Sequence, residues 1–70
     1  MTNIMRKEIM EILEYLKNNK DILDYKLENT TIYIKTDLNR EDIDFLKFRI
    51  LAACAVIEAD LENKLEIEIM

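Results

Sequence analysis

Seventy residues, half of them apolar, suffice for one domain around one core, and the chain has no Gly, Pro, His or Trp and a single Cys. Without Gly there is no phosphate-cradling loop, dinucleotide fingerprint or nucleophile elbow; without His there is no imidazole base and no His-containing metal triad. The net charge of −5, from 15 acidic and 10 basic side chains, argues against nucleic-acid binding by this chain alone.

Asn3 to Asn19 reads as a helix. Met5, Ile9, Ile12, Leu13 and Leu16 recur at helical spacing and form one apolar stripe, flanked by Tyr15, with Met10 off it. Thr2 or Asn3 can cap its start. Asn18 and Asn19 can end it, because Asn tolerates the left-handed conformation where Gly is missing. Residues 22–28 and 31–36 read as a hairpin turning at Asn29 and Thr30. Leu23, Tyr25 and Leu27 alternate with charged residues, and Ile32 and Ile34 alternate with Tyr33 and Lys35. A turn there sets Leu27 opposite Ile32 and Tyr25 opposite Ile34, so both apolar sets share one face. Asp24 then lies opposite Lys35 on the other face.

Arg40 to about Ala59 reads as a second helix. Asn39 is its expected N-cap, Leu38 and Ile43 its hydrophobic staple, and Glu41 and Asp42 suit the positive end of the helix dipole. Ile43, Leu46, Ile50, Ala53, Cys54 and Ile57 form a stripe that should pack on the sheet. Phe45, Phe48, Ala52, Ala55 and Val56 form another on roughly the opposite side. A helix apolar on both sides is covered on both sides. Either the first helix covers the second face, or another chain does. Lys64 to Met70 reads as a final strand, with Leu65, Ile67 and Ile69 facing one way. It either closes this chain's own sheet or pairs with a neighbour at the edge.

Little here suggests chemistry. Cys54 sits among core positions with no His to activate it, so it reads as a small hydrophobe. Glu8, Glu11 and Glu14, and Asp60 and Glu62, read as solvated faces, and Lys47 as a snorkelling side chain. No cofactor or metal is expected. No long apolar segment suggests a signal peptide or a membrane span, so the expectation is a cytoplasmic protein with no membrane role. A domain this short buries only about 60% of its unfolded surface. With no disulfide or metal to staple it, a protein partner is the expected source of further stability.

The stretch over residues 5–60 resembles the small dimerisation subunit of the KEOPS complex, which helps make the threonylcarbamoyl modification of tRNA adenosine. Thr30-Thr31-Ile32-Tyr33-Ile34-Lys35-Thr36 is similar to the family's second hairpin strand. Asp42-Ile43-Asp44-Phe45-Leu46-Lys47 is similar to its helix opening, with Lys47 where the family tends to have Arg. The family's first strand has no counterpart here, and a strand over Leu65 to Met70 is extra. The resemblance implies a non-catalytic subunit. It would pair with a like-folded small chain through its sheet and dock its helices on the catalytic ATPase-like subunit.

The expected fold is therefore α+β in the order α-β-β-α-β. It has an antiparallel three-stranded sheet with two helices on one face, close to a ferredoxin-like fold without its first strand. The expected function is protein binding, either in a KEOPS-like assembly or as an unrelated homodimeric module. The contacts are expected from Phe45, Phe48, Ala52, Ala55 and Val56, and from Leu65, Ile67 and Ile69.

Overall fold

The first helix, α1 (Asn3–Asn18), starts where the Thr2 hydroxyl accepts a hydrogen bond from the Met5 N–H at 3.2 Å. That bond satisfies one of the amide donors every helix start leaves free. The computed structural model describes all residues from Met1 to Met70. At the other end of α1 the Asp21 N–H reaches back to the Leu16 carbonyl (2.9 Å) and the Lys20 N–H to that of Lys17 (3.0 Å). This is a Schellman closure, which requires one left-handed residue. Lys20 takes that conformation (φ 64°), while Asn19 stays at φ −83°. The asparagines therefore occupy the end of the helix without supplying its left-handed stop.

The chain leaving this turn drops Ile22 into the core at 2% exposure, and Leu23 is left 50% exposed. Sequence alternation assigned these two the other way round. The first strand, β1 (Asp24–Glu28), begins only after Leu23, so strand periodicity does not reach back to it. β1 pairs antiparallel with β2 (Thr31–Lys35), and the register is the expected one: Leu27 faces Ile32, Tyr25 faces Ile34 and Asp24 faces Lys35. Asn29 bends the turn at φ 52°, a conformation Asn adopts more readily than most residues. Arg6 of α1 donates to the carbonyls of Asn29 (3.1 Å) and Leu27 (3.3 Å), tying the helix to the turn.

The second helix, α2 (Arg40–Ile57), is capped as expected, with the Asn39 Oδ1 accepting from the Asp42 N–H at 2.9 Å. A single further turn of helix, α3 (Leu61–Lys64), follows and sets Leu61 into the core. The last strand, β3 (Glu66–Ile69), then pairs with β2, and the strand order is β1-β2-β3.

The β2–β3 pair is parallel, with Ile32 beside Ile67 and Ile34 beside Ile69. The sheet is thus mixed, and the expectation of a purely antiparallel sheet is corrected. A strand that returns through an 18-residue helix re-enters the sheet in its original direction. In a ferredoxin-like sheet another strand lies between these two and keeps every neighbour antiparallel. Here none does, and the two like-directed strands meet.

Tyr25, Leu27, Ile32, Ile34, Ile67 and Ile69 share the inner face of the sheet. Both long helices pack on that face: Ile9, Leu13 and Leu16 of α1 and Leu46, Ile50 and Cys54 of α2 join Ile32 and Ile34 in one core cluster. The outer face carries Asp24, Lys26, Glu28, Lys35, Glu66 and Glu68 around Tyr33. No helix is long and apolar enough to cross a membrane.

Candidate functional site

α2 has used its inner stripe on the sheet, and its outer stripe faces outward uncovered. Phe45 is 64% exposed, Phe48 68% and Val56 88%; Ala52 is exposed and Ala55 half-buried. α1 lies beside α2 and leaves these residues open. Of the two ways to cover this face, packing by the first helix is therefore not the one the chain adopts. Burying an exposed Phe is worth about 1.5–3 kcal/mol, so two on one helix face represent a sizeable unused driving force.

Between α1 and α2 runs an open groove of about 770 Å³. Ile12 and Tyr15 wall it on the α1 side, and Phe48, Ala52, Ala53 and Val56 on the α2 side. Its rim is charged: Glu8 and Glu11 on α1, Arg49 on α2. The chain's ion pairs are Lys17–Asp24 (3.5 Å), Lys26–Glu28 (3.0 Å) and Lys64–Glu58 (4.0 Å), so none of the three rim charges has an ionic partner. The groove unites the outer stripe of α2 with two α1 residues that the sequence reading treated separately. The available signal was the position of Ile12 and Tyr15 at the margin of the α1 stripe.

The other expected contact residues are placed differently. Leu65 is buried, and Ile67 and Ile69 pack against the core of their own chain. What β3 leaves open is backbone. Glu66 and Met70 donate their N–H groups to the carbonyls of Thr30 (3.0 Å) and Ile34 (2.8 Å). Amides one residue out of phase, those of Ile67 and Ile69, point to the free edge.

Cys54 is fully buried, and burial pushes its thiol pKa up, which disfavours a reactive thiolate. Glu14 accepts a hydrogen bond from the Tyr25 hydroxyl at 2.7 Å. No three His, Cys, Asp or Glu side chains are grouped so as to hold a metal ion. Lys47 is half-buried at the margin of the inner stripe.

Comparison with protein-family models, curated proteins and solved structures gives no match for this chain. A functional reading therefore rests on the surface itself.

Proposed function

We propose that this chain is a cytoplasmic, non-catalytic module that binds another protein chain through the outer face of α2 and the adjoining groove. The observation that carries this reading is the pair Phe45 and Phe48, each about two-thirds exposed on the side of α2 opposite the core. Aromatic residues held on a rigid helix are what protein interfaces concentrate at their centres. The catalytic alternatives lack support in the side chains: the thiol is buried, and no three His, Cys, Asp or Glu side chains are grouped so as to hold a metal ion.

The narrower form of the proposal, a subunit of a KEOPS-like assembly, rests on the two short sequence motifs. It expects pairing through the sheet with a like-folded chain. The outer sheet face is mostly charged, whereas the apolar surface lies on the helices. This distribution speaks against pairing through the sheet face, whereas the exposed helix face suits both docking on a catalytic subunit and the second reading, an unrelated homodimeric module.

Tagged protein expressed in its native host, purified at low salt, should carry a stoichiometric companion, either another protein or an untagged copy of the chain. Phe45→Asp combined with Phe48→Asp should abolish that recovery while the circular dichroism spectrum stays unchanged. Recovery of a tRNA-threonylcarbamoyl catalytic subunit would support the narrower form. Absence of any stoichiometric companion, or equal recovery by the double variant, would rule out the protein-binding reading.

A further inference from the structure

The outer face of α2 has an internal order. Its large residues, Phe45 and Phe48, lie in the N-terminal half; Ala52 and Ala55 continue the same 3-4 spacing in the C-terminal half. These positions follow a heptad seam in which Phe45 and Ala52 alternate with Phe48 and Ala55. A seam that is bulky at one end and narrow at the other matches itself in one orientation. Side by side in parallel, two copies would stack Phe on Phe and Ala on Ala. Helix axes would then be forced apart at one end and drawn together at the other, since interaxial distance follows the side chains between them. In antiparallel pairing about a twofold axis near Ile50, Phe48 meets Ala52 of the second copy and Phe45 meets its Ala55. Each of these Phe–Ala layers then holds one large and one small residue.

Resting on the protein-binding reading above, we infer that the occupant of this face is a second copy of the chain, seated antiparallel, α2 on α2. The charges agree. Arg49 reaches the groove rim with no ionic partner in its own chain, and so do Glu8 and Glu11. A second copy would offer its rim glutamates to this Arg49 and its Arg49 to these glutamates. The area agrees as well. Phe45, Phe48 and Tyr15, at about 200 Å² per aromatic side chain and two-thirds exposed, present on the order of 400 Å². With Val56, the alanines and the charged rim residues this approaches the ~800 Å² per partner of a standard interface.

The inference is tested by sedimentation equilibrium over about 1 to 500 µM. The wild-type chain should associate to twice its monomer mass. Phe48→Ala should weaken the dimer by leaving a void, and Ala52→Phe by overfilling the layer, each by at least about tenfold in Kd. The combined Phe48→Ala, Ala52→Phe chain exchanges the sizes across the layer and should regain most of the affinity. Arg49→Glu should weaken the dimer, most at low salt. Both substituted positions are exposed, so the variants should retain the monomer fold.

A wild-type chain that stays monomeric overturns self-pairing. The protein-binding reading then stands if a companion sensitive to the two Phe→Asp changes is recovered, and falls if none is. A dimer indifferent to these substitutions uses another surface and overturns the inference. Weakened single variants without recovery in the combined chain overturn the antiparallel register.

Discussion

Tyr25 joins the two halves of the fold at a single atom. Its hydroxyl donates at 2.7 Å to the Glu14 carboxylate and so ties β1 to α1. That bond, then burial and the Glu14 charge, raise the phenol pKa above its ordinary value. A pKa raised by folding means the stabilisation is whole below the ordinary phenol value and is lost as pH climbs through the raised one. Tyr25→Phe should therefore destabilise the chain by about 0.5–1 kcal/mol at neutral pH. The gap to wild type should close as pH rises past the ordinary phenol value of about 10 and through the raised one. Urea titrations of both chains at neutral and alkaline pH measure this; a gap constant across the range would mean the phenol contributes only its ring. The adjoining Asp24 behaves in the opposite sense. The Tyr25 N–H (2.9 Å) and then Lys17 (3.5 Å) hold its carboxyl below the usual range. Its contribution is present above the ordinary carboxylate pKa and is lost as pH falls through the lowered value.

Among the elements, the end of α1 stores a correctable cost. Lys20 holds a left-handed conformation in which its Cβ crowds the backbone, at about 1 kcal/mol relative to Gly. Lys20→Gly should raise stability by a little under that amount, since Gly also loses more entropy on folding. Thermal melts of the two chains give the sign directly, and a lower melting temperature for the variant would show that the Lys20 side chain contributes more than its backbone costs. The same turn shows where the sequence was legible and where it was not. The hairpin register followed from alternation because a one-residue slip would have turned Ile32 and Ile34 to solvent. The Asn39 cap followed from local chemistry. Ile22 and Leu23 were exchanged because alternation was extended into a turn that obeys no strand period. α3 carries one core residue, Leu61, and a single turn is too short to show periodicity. The direction of β3 was legible in principle, since strand, helix, strand is the pattern of a parallel crossover. It was missed by carrying over an antiparallel sheet from an arrangement whose central strand is absent here.

At the scale of the whole molecule, the candidate site is the half of α2 that the fold does not need. Both stripes of this helix were readable as apolar from the sequence. Which one the chain would cover depended on where α1 lies, and that is a tertiary fact. Ile50 and Phe48 sit two residues apart and face opposite ways, 1% and 68% exposed. A chain of this size has roughly 4–10 kcal/mol of stability in all. Ile50→Ala should remove about 2–4 kcal/mol of it, leaving a cavity between helix and sheet. Phe48→Ala should change stability by no more than about 0.5 kcal/mol when measured in dilute solution. As protein concentration rises, the cost of Phe48→Ala should grow, because the folded state is then stabilised by whatever covers that face, and the cost of Ile50→Ala should not. Guanidinium unfolding at two concentrations separates the two behaviours. Equal losses at both positions in dilute solution would mean that the single chain already covers Phe48, and α2 would then have no free surface to offer a partner.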